Sequence, residues 1–327
     1  MILVTGGAGY IGSHVVRQLS EAGHDVIVYD RLSTGHTDAL IYNEKLIVGD
    51  LADQKKLAQV FQTYSIQAVL HFAASIVPSD SVTNPLAYYS NNTVNTLNLI
   101  NACVLHKVTR FVFSSTAAVY GELKSGIASE DDITKPINPY GTSKLMSEWI
   151  LRDAAKAHGL HYVILRYFNV AGADIKARMG QRTPNATHLI KVCCQAALGL
   201  RENIAIYGTN YPTKDGTGVR DYIHIEDLAF AHLDALNYLE DGRQPSVTLN
   251  VGYGHGSSVW EVIETVKQIS GVDFPVVETT RRAGDPSMLV AKTERIHEVI
   301  AWSPRYASLE QIVADAWRWE FKRQHET

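Results

Sequence analysis

Tyr140 and Lys144 stand four residues apart in a segment that Pro139 can start as a helix, which puts both on one helical face. An ammonium beside a phenol lowers the phenol's pKa, and a phenolate can take a hydroxyl proton while hydride leaves the same carbon toward a nicotinamide. That is the chemistry of alcohol oxidation. Tyr120 and Lys124 share the spacing, so position has to separate the two pairs. Tyr120 precedes Gly121 in what reads as a loop, whereas Tyr140 lies on a helix and follows Ser114-Ser115-Thr116, a hydroxyl cluster leaving the carboxyl end of a strand. Thr116 can donate or relay a proton to the same substrate oxygen, and Ser114 and Ser115 suit a turn or a cofactor contact. Taken alone, Thr116 also reads as a plain strand-end hydroxyl.

Hydride transfer needs a dinucleotide site. The run Gly6-Gly7-Ala8-Gly9-Tyr10-Ile11-Gly12 follows an apolar strand and opens a helix, so Gly6, Gly9 and Gly12 fall where a tight turn lets backbone N–H groups and the helix dipole meet a pyrophosphate. Asp30 lies 18 residues beyond Gly12, at the end of the next strand, where a carboxylate can accept the adenosine ribose hydroxyls. Asp30 would repel a 2′-phosphate, which favours NAD over NADP, and Arg31 beside it is a cation that softens that preference. Asp50 after the third strand, and the small residues of Phe72-Ala73-Ala74, fall where adenine and ribose would cross the strand ends. A ligand-free turn is the competing reading of the glycines alone.

The elements that must hold these residues alternate. Short apolar runs at 2–4, 25–29, 46–48, 68–72, 111–113 and 162–165 read as parallel strands buried on both faces, and the intervening segments 10–22, 53–64, 85–106 and 139–157 read as helices. The expected fold is α/β, a doubly wound parallel Rossmann sheet with a second, smaller mixed α/β lobe. Residues 1–175 are expected to form the NAD-binding domain. Residues 176–327, with a helix at about 226–239, are expected to form mainly the second lobe, with some segments interleaved with the first.

At 327 residues, 46% hydrophobic and 20% charged, the chain can bury a sizeable core. A net charge of −4 leaves no basic footprint for nucleic acid, so an anionic ligand has to be held by local groups. No apolar run approaches the ~18 residues that cross a bilayer. The three cysteines, Cys103, Cys193 and Cys194, show no metal-ligand spacing, and a reducing cytoplasm fits them best. No membrane partner and no metal are expected.

Longer stretches then carry a resemblance. Ser114 to Gly121 (SSTAAVYG), Pro139 to Lys144 (PYGTSK), Leu165 to Val170 (LRYFNV), Tyr207 to Thr213 (YGTNYPT), Asp215 to His224 (DGTGVRDYIH) and Arg281 to Asp285 (RRAGD) resemble the UDP-glucose 4-epimerase family of the extended short-chain dehydrogenase/reductase superfamily, essentially end to end. The resemblance implies reversible C4 epimerisation of a UDP-hexose through a transient 4-keto sugar, with tightly bound NAD and no net cofactor turnover. It implies that Tyr140 is the base, that Thr116 fills the catalytic serine or threonine place, and that Lys144 grips the nicotinamide ribose. Tyr10, Ile11, Leu51, Asn91, Ser114 and Tyr167 join the cofactor contacts on the same ground, and Asn169, His188, Tyr207, Arg220, Arg282, Asp285 and Leu289 join the UDP-sugar contacts. Planar arginine donors suit a diphosphate and a carboxylate suits a ribose.

Two positions depart from the family pattern. Ile76 stands where some relatives carry a lysine near the cofactor, and Leu289 stands where the sugar-pocket gate carries a tyrosine or a small residue, which leaves N-acetylated sugars open. A homodimer is implied by the resemblance only, with the helices at 85–106 and 139–157 as candidate interface. A 4,6-dehydratase would need an acid beside Thr116, where Ala117 and Ala118 stand. Sugar-nucleotide decarboxylation is a further relative that the motifs exclude only weakly. A non-catalytic NAD sensor would have no need of Tyr140, Lys144 and the hydroxyl together.

Overall fold

The computed structural model describes residues 1–184, 186–240, 245–282 and 285–325, so Ala283 and Gly284 of the arginine motif lie outside the described residues. The first half runs β1 (Ile2–Thr5), α1 (Tyr10–Glu21), β2 (Val26–Asp30), β3 (Lys45–Val48), α2 (Gln54–Thr63), β4 (Ala68–His71), α3 (Pro78–Thr83), α4 (Pro85–Tyr88), α5 (Asn95–Leu105), β5 (Arg110–Thr116), β6 (Ile127–Ala128), α6 (Pro139–His158) and β7 (His161–Tyr167). The second half runs β8 (Asn169–Ala171), α7 (Leu189–Ala197), β9 (Ile204–Tyr207), β10 (Val219–Arg220), β11 (Tyr222–His224), α8 (Ile225–Glu240), β12 (Val247–Val251), β13 (Ser257–Ser258), α9 (Val259–Ser270), β14 (Val276–Thr279), β15 (Met288–Ala291), α10 (Glu294–Val299) and α11 (Leu309–His325).

Seven parallel strands form the central sheet in the order β3-β2-β1-β4-β5-β7-β12. Every residue of β1, β2 and β4 is buried, because helices cover both faces. Successive side chains point to opposite faces. Val4, Val28, Leu70 and Leu165 therefore meet Val15 and Leu19 of α1 and Leu228 and Leu236 of α8. Their neighbours Leu3, Ile27, Val69 and Ile164 meet Leu57, Leu99 and Leu151 of α2, α5 and α6. Each such side chain stabilises the fold by ~1.5–3 kcal/mol on burial.

One sequence expectation is corrected, the helix at 85–106. The helix expected at 226–239 in the second lobe is α8, and it packs on α1 and on the central strands β5 and β7, while β12 extends the central sheet beside β7. Its small and apolar residues, from Ile225 through Ala235 to Leu239, complete the core on that face. The single helix expected at 85–106 is interrupted: α4 ends at Tyr88, Tyr89–Val94 form a π-helical turn, and α5 begins at Asn95. Inside that turn the Asn92 carbonyl accepts the Thr96 hydroxyl at 2.5 Å and its side-chain amide donates to Ser75 O and Ser143 Oγ, both at 3.0 Å. Side-chain bonds of this kind offer the backbone a local alternative to the regular helical pattern.

The smaller lobe holds a four-stranded sheet, β13-β10-β15-β6, in which β10 runs antiparallel to β13 and parallel to β15. Its strand β6 comes from the first half of the chain. Two parallel pairs, β8 with β11 and β9 with β14, complete it over a core shared by α7, α9 and α11.

Candidate active site

The glycine loop is pressed between β1, β4 and α1. A Cβ on Gly6 would lie 2.5 Å from the Ala73 nitrogen, and one on Gly12 would lie 2.3 Å from the Gly6 carbonyl oxygen, so neither position tolerates a side chain. Gly9 N–H donates back to Gly6 O at 3.1 Å. The first-turn N–H groups of α1, at Tyr10 and Ile11, have no intrahelical acceptors, as at any helix start. Asp30 is buried at the end of β2; its two oxygens accept Ala8 N–H at 3.0 Å and Leu32 N–H at 2.8 Å. This is a cradle that a Cβ would fill, with a fixed carboxylate beside it, and it fits a dinucleotide pyrophosphate and ribose.

Arg31, expected to soften the preference for NAD, reaches away to Asp50 at 3.1 Å and to Ser33 Oγ at 3.1 Å. Leu51 is buried next to Asp50, and its carbonyl accepts Asn98 Nδ2. Phe72 and Ala73 close the end of β4, with the Phe72 ring 4.7 Å from that of His232, and Ala74 follows them. Asn91 Nδ2 donates to Ser75 Oγ at 2.9 Å, and Ile76 is exposed. Tyr10 bridges to the other lobe, its hydroxyl donating to Gly172 O at 2.7 Å.

Thr116 is the last residue of β5, so the hydroxyl cluster lies within the strand instead of just beyond it. Its Oγ1 accepts Ala118 N–H at 3.1 Å, and its hydroxyl favours the ionised form of the Tyr140 phenol. Tyr140 arrives there because Asn138 caps α6, accepting Gly141 N–H at 2.9 Å, and Pro139 opens it. Gly141 makes the approach possible: a Cβ there would lie 2.6 Å from the Ala118 carbonyl oxygen.

In this structure burial dominates the Tyr140 phenol, and Lys144 is not among the groups that shift it. Burial pushes the phenol up to about 12, and the Thr116 hydroxyl offsets this only in part. Lys144 donates instead to the Ser114 carbonyl at 2.9 Å and lies 5.0 Å from the centre of the Phe113 ring. Burial pulls its ammonium down to about 7, against the opposing charge of Glu148. Ser114 Oγ lies 2.7 Å from His232 Nε2, and burial pushes the Tyr167 phenol up while Ser114 offsets this in part.

The second lobe carries the residues that the resemblance assigns to UDP. Arg220 on β10 pairs with Asp285 and donates to Pro286 O at 2.7 Å. The Arg282 guanidinium lies 3.5 Å from the centre of the Tyr207 ring. Asn169 opens β8 and pairs in register with Tyr222 of β11. His188 precedes α7, with Nδ1 2.8 Å from Gln181 Nε2. Leu289 pairs in register with Arg220 and packs among Ala117, Phe168 and Leu145. Among the described residues, no group of three or more His, Cys, Asp or Glu side chains could hold a metal ion. No described helix is long and apolar enough to cross a membrane. Gly141 and Arg166 lie inside the PYGTSK and LRYFNV stretches without being singled out there, and Glu148 and Asn250 lie outside every quoted motif; for Glu148, the i, i+4 spacing after Lys144 is the available signal.

The model of the NAD dependent epimerase/dehydratase family matches residues 2–252. A UDP-glucose 4-epimerase from Azospirillum brasilense is 52% identical over 98% of this chain and 91% of its own length. The structure of a UDP-Glc/GlcNAc 4-epimerase from Campylobacter jejuni superposes with a TM-score of 0.86 at 49% identity, covering 98% of this chain and 99% of that one. A Brucella ovis UDP-glucose 4-epimerase, solved with NAD, gives a TM-score of 0.94 at 40% identity over 97% of each chain. On the match of three quarters of its length and on these relatives, the chain belongs to the NAD dependent epimerase/dehydratase family.

Proposed function

We propose that the chain inverts C4 of a UDP-hexose, interconverting UDP-glucose and UDP-galactose with NAD. The observation that carries this reading is Lys144 holding the Ser114 carbonyl beside Thr116, on the helix that also carries Tyr140, in a chain that has both the crowded glycine cradle and the Arg220–Asp285 pair. Tyr140 takes the proton of the 4-hydroxyl while Thr116 holds the same oxygen. Bound NAD supplies the hydride acceptor and, when oxidised, a positive charge that favours the phenolate. Asp30 and the glycine loop hold its ribose and pyrophosphate, and Lys144 grips its nicotinamide ribose. Asp50, Leu51, Phe72, Ala73, Ala74, Asn91, Ser114 and Tyr167 complete that pocket.

Asn169, His188, Tyr207, Arg220, Arg282 and Asp285 hold the UDP. Strong diphosphate contacts and weak sugar contacts let the 4-keto sugar turn its other face before the proton returns from Tyr140. Dehydration is disfavoured, since Ala117 is buried and Ala118 offers Thr116 only a backbone N–H. Leu289 leaves the sugar gate intermediate in size. The dual-specificity name of the Campylobacter jejuni relative supports offering N-acetylated substrates as well.

Residues 1–175 serve mainly NAD and 176–327 mainly the UDP-sugar, with α8 and β12 packed on the cofactor side. The chain works in the cytoplasm as a homodimer, for which exposed Leu86, Val94, Leu97 and Trp149 along the 85–106 and 139–158 helices supply apolar surface. The test is to incubate purified protein separately with UDP-galactose, UDP-N-acetylgalactosamine and UDP-glucuronate and identify the products. C4 inversion without net NADH is expected, and Tyr140→Phe should abolish it. Turnover of none of the three would favour a non-catalytic NAD sensor, and full activity of Tyr140→Phe would remove Tyr140 as the base.

A further inference from the structure

Tyr120 and Lys124, the rival pair by spacing, part company in the fold: Lys124 is exposed and Tyr120 is buried. The Tyr120 hydroxyl belongs to a continuous line of buried polar side chains. The line starts at Ser115, between Ser114, whose carbonyl holds Lys144, and Thr116. Ser115 Oγ donates to Glu148 Oε1 at 2.5 Å. Glu148, fully buried one turn beyond Lys144, accepts Arg166 Nε at 3.0 Å and Nη2 at 2.7 Å. Arg166 Nη1 donates to the Tyr120 hydroxyl at 3.1 Å, and the guanidinium stands 4.9 Å from the ring centre. Tyr120 donates onward to Asn250 Oδ1 at 2.6 Å, and Asn250 Nδ2 donates to Ala128 O at 2.7 Å. Ala128 lies on β6, which pairs with β15, the strand of Leu289, itself paired in register with Arg220.

We propose that Ser115, Glu148, Arg166, Tyr120 and Asn250 are positioning residues for the epimerisation, a rigid tie that sets the distance between the substrate sheet and the Thr116–Tyr140 pair. The inference rests on the reaction proposed above. A buried ion pair is a poor source of stability, since apolar residues of similar volume often serve as well. Directional hydrogen bonds do what apolar packing does not: they fix a separation instead of letting two surfaces slide. The reaction demands such a fixed separation. A sugar free to rotate cannot find C4's place through its own contacts, so that place is set by where the lobe holds the diphosphate relative to Tyr140. The tie joins β5, α6, β7 and β12 of the cofactor side to β6 of the substrate sheet.

The decisive variant is Tyr120→Phe, which keeps the ring under Arg166 and removes both hydroxyl bonds. In the NAD-loaded enzyme, kcat for UDP-galactose should fall on the order of tenfold, while KM, the affinity for UDP alone and NAD content stay within about twofold. Ser115→Ala, at the other end of the line, leaves the Glu148–Arg166 pair intact and should give the same split if Tyr120→Phe fails to fold. The exposed Lys124→Ala serves as the control. A wild-type kcat in the folded variants, or a kcat loss matched by an equal loss of UDP affinity, would overturn the tie. Absence of turnover in the unmodified enzyme would instead overturn the reaction, and UDP calorimetry tells the two apart.

Discussion

Gly141→Ala tests whether the start of α6 must touch the turn after Thr116. The added Cβ would sit 2.6 Å from the Ala118 carbonyl oxygen and 3.0 Å from Pro136 Cβ. An ordinary carbon–oxygen contact is ~3.3 Å, so the helix start has to retreat by roughly 0.7 Å. Tyr140 precedes the substituted residue and Thr116 ends the strand just before the turn, so that retreat moves the Tyr140 phenol away from Thr116. A misplacement of about 1 Å costs ~10²-fold in rate, which puts the expected loss of kcat at roughly 10- to 100-fold, or ~1.4–3 kcal/mol. Stability should change less, because ~1–3 kcal/mol of overpacking is set against up to ~1 kcal/mol of improved helix propensity. Steady-state turnover of UDP-galactose beside thermal unfolding reads both quantities. Wild-type kcat in a destabilised variant would refute the reasoning, since the backbone would then have absorbed the clash without moving Tyr140.

Lys144→Met should lose turnover yet fold more stably near neutrality. The folded-state value of about 7 lies below the ordinary 10.5, so between the two the unfolded chain holds a proton that the folded chain lacks, and wild-type stability rises with pH across that window. The variant's advantage should be largest below about pH 7 and shrink toward 10.5, as denaturant titrations across that range would reveal; a pH-independent difference would contradict it. Asp30→Ala frees the N–H groups of Ala8 and Leu32 as well as the ribose, and should weaken NAD retention on the order of 10²-fold. Cofactor released by acid after dialysis measures this, and an unchanged NAD content would count against the cradle.

Much of the fold is legible in the sequence because local signals agree. The buried parallel strands announce themselves as short apolar β-branched runs, and Gly6, Gly9 and Gly12 mark a loop whose crowding against Ala73 and Gly6 O admits little else. The capped, proline-led start of α6 puts Tyr140 and Lys144 on one face through local backbone chemistry alone. Spacing does not rank that pair above Tyr120 and Lys124. Position does, because Tyr140 starts a helix after the hydroxyl cluster while Tyr120 sits before Gly121, and the fold adds that Tyr120 enters a polar core and Lys124 faces solvent.

Tertiary structure alone decided the rest, for reasons of range and dielectric. The two-residue strands β6 and β10 carry no periodicity, and their partners lie far along the chain, so the substrate sheet exists only once α8 and β12 have returned to the cofactor side. The π-helical turn at Tyr89–Val94 depends on Ser75 and Ser143 meeting Asn92, which helical periodicity does not encode. The charge at the site is likewise a property of the assembled core. A lysine four residues from a tyrosine reads as an activating cation, but desolvation brings Lys144 down to about 7 and Tyr140 up to about 12. The sequence by itself determined which residues could do the chemistry; packing decided their distances and their protonation.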